Sequence, residues 1–527
     1  LHFVPYGAAR EVTGSMHLLF TGEEYLMLDC GLFQGRRKKT EAKNKDIPFD
    51  PGIVHNIILT HAHIDHCGRT PLLVKKGYPG RILATRASAD ASAYLLRDSA
   101  HIHESDARYL NYKTAKRFLI RHAQTTRKKN RNMNKILHDI RRRLKIRGHH
   151  INDQNVLKVI QANHLPRITP LYTPHDAEMA IELIEGYPYR TPIQVGRNTT
   201  LTFLEAGHIL GSALTLLTTK GRDRQYRVLF TGDLGRFHKP IIKDPCTSFP
   251  DPEQPIDLLI MESTYGDRFH EPVKNLSHQL QEVLNDTWDR GGSVIIPSFA
   301  FGRTQEIIYY LHSLANRKAI PRFPIYVDSP LATDLTRVFG EHPEVYDRET
   351  HRLFLSDGEN PFHFDGLTYV DSLEQSVALC KDQNPKVVIS ASGMCEGGRI
   401  LHYLRYHVHN ARDTILFVGY MAKHTLGRRI LDLGTSQSRK NRQKSPPIIP
   451  ILGKEYPLKA RVVELGGFSA HADQAELLDF IRRSELKIRK IALVHGEKDQ
   501  MSALKKILTR RGYSVEMPRF GQTVKIQ

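Results

Sequence analysis

The sequence predicts an α/β fold, and three observations predict it. Apolar runs of strand length alternate with helical lengths through most of the 527 residues. Several of those strands end in a histidine or an acid close to glycine. The densest such ending, Leu59-Thr60-His61-Ala62-His63-Ile64-Asp65-His66-Cys67-Gly68, packs three imidazoles and one carboxylate into positions 61–66. A strand that ends in His-x-His-x-Asp-His throws its ligands into one loop, alternate side chains turning to one point and the next two to a second. Two metal ions could share such a loop, and neutral imidazole with carboxylate suits Zn²⁺. The plain alternative is a surface loop that is merely rich in histidine. With 28 histidines in the chain, a chance match to this spacing is rare.

Taken in order, Phe3-Val4-Pro5-Tyr6, Met16 to Phe20 and Tyr25 to Gly31 read as strands, the last ending in Asp29. A carboxylate at the end of an apolar strand needs a partner. Asp29 either caps the turn at Cys30-Gly31 or accepts a proton from a metal-binding imidazole and so fixes its tautomer. Ile57-Ile58-Leu59 reads as a buried strand, Pro71 to Gly77 as a helix, Ile82-Leu83-Ala84 as a strand, and Ser88 to Arg97 as a further helix. Thr200 to Leu204 leads to Gly207-His208, Arg227 to Phe230 leads to Gly232-Asp233, and Leu258 to Met261 leads to Glu262-Ser263-Thr264-Tyr265-Gly266. Each puts one ligand-type residue just past a strand. His208 alone could be a satisfied core histidine and Asp233 alone a turn residue. Beside the first loop they supply a third imidazole and a bridging carboxylate.

Residues 267–445 open with an exposed helix, Leu276 to Trp288, followed by strands at Val294-Ile295-Ile296, Ile325-Tyr326-Val327, Val387-Val388-Ile389 and Ile415 to Val418. Separated by helical lengths, these make a parallel sheet. Gly434 to Pro447, polar and basic, reads as a linker.

Charge is the outlier in composition, at +20 with a pI near 9.6. A surplus of this size favours a polyanionic partner. From Lys113 to Ile168 there are 16 lysines and arginines against Asp139 and Asp153 alone, so this stretch carries +14 of the total. It includes Arg127-Lys128-Lys129-Asn130-Arg131 and the run from Arg141 to Arg147. Ile136, Ile140 and Leu144 recur every four residues, which predicts an amphipathic helix stopping at Gly148, with a second helix over Asn155 to Asn163. Such a segment is either a solvated excursion or a clamp that neutralises phosphates. Phe118 is its one aromatic residue, so base stacking is not its work. The five cysteines show no Cys-x-x-Cys spacing, which suggests a reducing, cytoplasmic setting. No apolar run reaches the roughly 18 residues of a membrane span, and no secretory leader is apparent in the first residues, so a soluble protein is expected.

The series Asp29-Cys30-Gly31, His61-x-His63-x-Asp65-His66, His208, Asp233 and Glu262-Ser263-Thr264-Tyr265-Gly266 resembles the metallo-β-lactamase fold of the β-CASP nucleases. The likeness is to their RNA-processing branch, in which compact bacterial and archaeal members stand beside the pre-mRNA 3′-end endonuclease subunit. Later motifs extend it over nearly the whole chain: Pro297-Ser298-Phe299-Ala300-Phe301-Gly302-Arg303, Asp328-Ser329-Pro330, Ser390-Ala391-Ser392-Gly393-Met394, Gly467 to Asp473, and Val494-His495-Gly496-Glu497. The basic stretch after Lys113 has no counterpart in this resemblance.

What the resemblance implies is a metallo-β-lactamase αββα sandwich over 1–266, an inserted β-CASP α/β cap over 267–446, and a return to the first domain over 447–527. It implies two Zn²⁺ per chain, one on His61, His63 and His208, the other on Asp65, His66 and His495, with Asp233 bridging. It further implies hydrolysis of single-stranded RNA by a two-metal hydroxide mechanism in the cleft between the domains. Asp65, Glu262 and His471 are the expected catalytic residues, His471 held by Glu262 as the acid for the leaving oxygen. Histidine at position 495 is the family's mark of RNA over DNA substrates. Phosphate contacts are expected from Arg303, from the backbone of Ser392, Gly393 and Met394 at a helix start, and from Arg399. A homodimer is compatible with the resemblance and is not read from residues. The rival readings are a non-catalytic RNA-binding scaffold, a DNA-directed nuclease of the same family, and a small-ester or thioester hydrolase of the same metal fold.

Overall fold

A computed structural model describes residues 1–35, 37–126, 133–146, 150–221, 223–436 and 445–526. Two of its sheets stack face to face. The first runs, in spatial order, Val524–Lys525, His2–Pro5, Met16–Phe20, Tyr25–Cys30, Val54–Ile58, Arg81–Thr85 and Ile184–Tyr187. The second runs Val515–Glu516, Ile491–Val494, Leu258–Glu262, Gln225–Phe230, Ala213–Lys220, Thr199–Glu205 and Pro192–Gln194. Phe3, Leu28, Ile58 and Leu83 of one sheet meet Phe203, Val228, Ile260 and Val494 of the other in a continuous apolar core. Helices cover both outer faces, with Leu72, Leu96 and Ala177 on the first sheet and Leu477, Phe480 and Leu504 on the second. This is an αββα sandwich, as expected. Strands buried on both faces read as near-continuous apolar runs, which is why Ile57-Ile58-Leu59 and Leu258 to Met261 were visible in sequence.

The third sheet is parallel throughout, in the order Leu367–Tyr369, Ile325–Val327, Val387–Ser390, Val294–Pro297, Thr414–Phe417 and Arg461–Glu464. Its last strand lies beyond the expected return at residue 447, so the cap keeps the chain until after Glu464. That strand carries only Val462 and Val463 as apolar residues, too short a pattern to detect. Most of the expected linker, 437–444, lies outside the described residues. The helix Leu276–Asp289, expected to be exposed, buries Leu276, Leu280, Val283 and Leu284 along one face.

One helix departs from expectation more strongly. Instead of ending near Arg97, it runs from Arg86 to Thr126 without interruption, because no glycine or proline falls within that stretch. Its near end packs Ala87, Ala91 and Leu95 against Ile209 and Leu210. Its far half carries two further helices, Met133–Leu144 and Asp153–Ala162, on a small core of Tyr112, Ala115, Ile136, Ile140, Leu144, Val156, Val159 and Ile160. The expected 136-140-144 stripe is that core's central row. The run 127–131, Arg147 and the expected stop at Gly148 lie outside the described residues. Among the described residues, no helix is long and apolar enough to cross a membrane.

Candidate metal centre

The strand Val54–Ile58 leads through Leu59 to Thr60, and the next residues turn into the short helix Ile64–Cys67. The turn is held from below by Gly31, whose Cα lies against the Asp65 backbone. A β-carbon there would fall 1.6 Å from the Asp65 carbonyl oxygen. Asp29, at the end of the neighbouring strand and in the left-handed region (φ 59°), directs its carboxylate beneath the same loop. Its Oδ1 accepts from the Thr60 backbone N–H at 2.8 Å. Its Oδ2 lies 2.7 Å from His66 Nδ1 and accepts from Ser15 Oγ at 3.0 Å. An Nδ1–H donated to Asp29 leaves Nε2 of His66 directed into the site.

Three more strand ends complete it. His208 follows Thr199–Glu205, with its backbone N–H held by Ser212 Oγ at 3.0 Å. Asp233 follows Gln225–Phe230, on a turn whose Gly235 presses on Gly207. A β-carbon at Gly235 would lie 1.7 Å from the Gly207 oxygen. His495 follows Ile491–Val494 at φ 49°, with Nδ1 3.1 Å from Thr264 Oγ1.

These side chains converge in two groups, and Asp233, His471 and His495 form a third that overlaps them. His61, His63, His208 and Asp233 bring one ligand atom each within 4.8 Å of one another, and so do Asp65, His66 and His495. Asp233 divides its oxygens between them. Oδ2 lies 3.6 Å from His61 Nε2 and 3.5 Å from His208 Nε2, while Oδ1 lies 3.2 Å from His66 Nε2 and 3.4 Å from His495 Nδ1. His66 Nε2 and His495 Nε2 stand 3.2 Å apart, and His63 Nδ1 is 3.1 Å from His61 Nε2 and 3.3 Å from His208 Nε2.

Apart from His66, the cluster's charge state suits a cation. Burial, helped by the neighbouring His66, holds His61 well below the ordinary imidazole range, and burial lowers His208 and brings His63 down to about 4. Burial works against the charge on Asp233 as well, but the surrounding histidines outweigh it and keep the carboxyl well below its usual range. Burial opposes the charge on His66 too, but Asp233 and Asp29 overcome it and hold His66 well above the ordinary imidazole range, so it must give up a proton to ligate. Neutral imidazoles around an ionised carboxylate are the ligating forms. Asp233 Oδ1 and His208 Nδ1 are buried without a hydrogen-bond partner, a cost that a bound cation would remove at Asp233. The residues present therefore fit metal, and the oxygen-and-imidazole donor set fits zinc.

His471 stands beside both groups. Its Nδ1 is 3.1 Å from Glu262 Oε1 and its Nε2 is 3.8 Å from Asp233 Oδ2. Its side chain is 21% exposed, where those of His61, His66, His208 and His495 are at most 3% exposed. Glu262 is fixed in turn by the Leu234 N–H at 2.6 Å. The cap closes over this region through Phe301, whose ring centroid is 6.1 Å from that of His63, and through Gly302 against Ile209.

The expected phosphate contacts fare differently. Arg303 is 8% exposed, with its guanidinium paired to Glu306 and lying over the Phe468 ring. Lys239 from the sandwich joins the same carboxylate at 3.0 Å. The Glu306 carboxylate thus ties the cap to the sandwich, and the Nε of Arg303 is buried without a hydrogen-bond partner. Arg399 pairs with Asp328, a fully buried carboxylate that also accepts from Tyr403 at 2.7 Å. Ser392, Gly393 and Met394 form a turn and not a helix start, for the helix begins at Ile400. Gly393 packs directly on Phe299 of the cap loop.

Thr60, Thr264, Ser15 and Lys239 were not anticipated. Thr60 and Thr264 stand inside the quoted motifs and could have been read as ligand-orienting hydroxyls. Ser15 and Lys239 carry no local signal.

Comparison with known proteins gives the family. Residues 9–266 match the family described as Metallo-beta-lactamase superfamily, 304–430 the Beta-Casp domain, and 455–518 the Zn-dependent metallo-hydrolase RNA specificity domain. Ribonuclease TTHA0252 of Thermus thermophilus is 36% identical over 528 aligned residues, covering 100% of both chains. Transcription termination factor FttA of Methanosarcina mazei is 28% identical across 93% of this chain and 66% of its own length. The FttA of Methanocaldococcus jannaschii is likewise 28% identical, across 94% of this chain and 66% of its own.

Proposed function

Since the chain belongs to the β-CASP ribonuclease family of the metallo-β-lactamase superfamily, we propose that it is a zinc-dependent ribonuclease. It hydrolyses phosphodiester bonds of single-stranded RNA between the sandwich and the cap. The observation that carries this reading is the division of Asp233 between two ligand groups, one oxygen to each. One Zn²⁺ would be held by His61, His63 and His208, and a second by Asp65, His66 and His495, with Asp233 shared. When bound, such ions activate water at neutral pH and stabilise charge on phosphoryl oxygens.

The remaining work falls to the protein. Glu262 accepts a hydrogen bond from the Nδ1–H of His471, which fixes the ring's orientation and turns Nε2 to the site. A proton held at Nε2 is delivered to the departing sugar oxygen, a transfer worth about 10²–10⁴ in rate. Greater exposure than its neighbours puts His471 on the substrate side. Asp29 holds His66 and Thr264 holds His495. Preference for RNA is supported by His495, which falls within the RNA specificity domain. The Ser392-Gly393-Met394 turn, seated on Phe299, is the candidate phosphate contact, with Arg303 and Arg399 paired to Glu306 and Asp328.

Incubation of the purified protein with single-stranded RNA, single-stranded DNA and a chromogenic ester, with and without chelator, tests the reading. Chelator-sensitive products from RNA alone are expected. Cutting of DNA alone, of the ester alone, or tight RNA binding without products would each overturn it in favour of a named rival. Light scattering of the same sample distinguishes a monomer from the homodimer that the resemblance allows.

A further inference from the structure

We propose that the helical arm on the far half of Arg86–Thr126 is a second, sequence-independent binding surface for the phosphate backbone of RNA, remote from the metal centre. It engages only substrates long enough to span both. The proposal rests on the ribonuclease reading above.

Lys113, Arg117 and Arg121 recur every four residues on the long helix, so they share one face, and all three are exposed. Arg141, Arg142 and Arg143 are exposed on the helix packed beside it. Among the described residues, no lysine or arginine from Lys113 to Arg167 is in an ion pair with a carboxylate. Of the two acids in that stretch, Asp153 pairs with Arg108, which lies before it, and Asp139 lies 3.9 Å from His138.

The arm's own core is apolar and is built without these cations. Among the described residues no carboxylate is ion-paired with these cations, and a polyanion would relieve their mutual repulsion. From Lys113 to Ile168 the described surface offers no exposed Phe, Tyr or Trp ring to stack on bases. Phe118 is half-buried with the arm's core and stacked on His122 at 5.8 Å, which leaves phosphate contact as the mode of binding.

The long helix sets the distance. Ser88, in its first turn, donates to the Gly211 oxygen at 2.8 Å, three residues past His208. From Ser88 to Lys113 the helix advances about 38 Å at about 1.5 Å per residue. At a stacked spacing of about 3.4 Å per nucleotide, roughly 11 nucleotides cover that span. A tetranucleotide reaches one site only.

The test compares the full-length protein with a variant carrying Arg117→Gln, Arg121→Gln, Arg141→Gln, Arg142→Gln and Arg143→Gln, and with its five-fold Arg→Lys counterpart. KM, kcat and fluorescence anisotropy are measured on a 40-nucleotide and a 4-nucleotide single-stranded RNA across a salt series. For the long RNA, the Gln variant should bind at least about 10-fold more weakly near 0.1 M salt. Its slope of log affinity against log salt should be shallower by about 3. Its kcat and all its values on the tetranucleotide should match wild type, and the Lys variant should match wild type throughout.

Equal losses on both lengths, an unchanged salt slope, or failure of the Lys variant would overturn the proposal. So would unaltered RNA affinity with lost binding to phosphatidylserine vesicles. If wild type cuts neither RNA, the ribonuclease reading fails, and anisotropy on the uncut RNAs still decides the arm.

Discussion

Asp29 Oδ2 and His66 Nδ1 lie 2.7 Å apart beneath the metal loop, and both side chains are almost wholly buried. The carboxylate orients one imidazole and also accepts from Thr60 and Ser15, so a single acid fixes the loop and a ligand together. Asp29→Asn keeps the shape but weakens acceptance from Nδ1–H. Its zinc affinity should fall about 10–100-fold, as read by competition with a chromogenic chelator. Wild-type affinity in the variant would show that His66 is oriented by other contacts.

Asp233→Ala removes the one carboxylate that both ligand groups share. Cleavage should become undetectable and zinc content by mass spectrometry should fall, while RNA affinity by anisotropy stays within about 3-fold, because Asp233 is buried away from the binding surface. Near-normal rates would contradict the shared-carboxylate assignment.

His471→Ala should lose about 10²–10⁴ in kcat on RNA. On a p-nitrophenyl phosphodiester, whose leaving group needs no proton, the same variant should keep most of its rate. Equal losses on both substrates would mean that His471 acts as a ligand or in folding and does not supply the acid.

Gly31→Ala and Gly235→Ala each place a β-carbon on a backbone oxygen of a ligand loop, that of Asp65 and that of Gly207. No flexible side chain is available to yield. Each variant should lose about 3 kcal/mol of stability together with zinc binding, measurable by denaturant titration of the apo and metal-loaded protein. Wild-type midpoints would mean that the loops have room to shift.

Glu205, which accepts from the Gly207 N–H at 2.9 Å beside His208, offers a pH test. It lines a cavity of about 360 Å³ with Arg190, Lys243 and Cys246, and burial pushes its carboxyl up to about 8. The folded state then keeps a proton that the unfolded chain releases near pH 4.5, so stability falls as pH rises from about 4.5 to about 8 and levels off beyond. Glu205→Gln should remove this loss, leaving the variant more stable than wild type by roughly 2 kcal/mol at pH 9 and no more stable at pH 4. Parallel stability curves across that range would count against a raised Glu205.

Much of the sandwich was legible because its strands are buried on both faces and end in residues with few reasons to be there. The run from His61 to His66 shows itself by spacing alone. His208 and Asp233 gain meaning only beside it, and His471 and His495 only through resemblance, since each is a single histidine in a short turn. The pairing of Arg303 with Glu306 spans three residues on one helix and could have been anticipated. That of Arg399 with Asp328 crosses 71 positions and could not. The unbroken helix past Arg97 was also in plain view, in the lack of glycine and proline, but the abrupt rise in charge drew a boundary where the backbone has none.

The strand Arg461–Glu464 joins the cap sheet only after the chain has passed the expected end of the cap. A fragment cut at 267–446 would therefore leave Thr414–Phe417 with a row of unmet amide and carbonyl groups along its open side. Such a row invites a neighbouring molecule to supply the missing strand. Isolated caps trimmed at 446 should precipitate or pair with one another, and those extended through Glu464 should stay monodisperse.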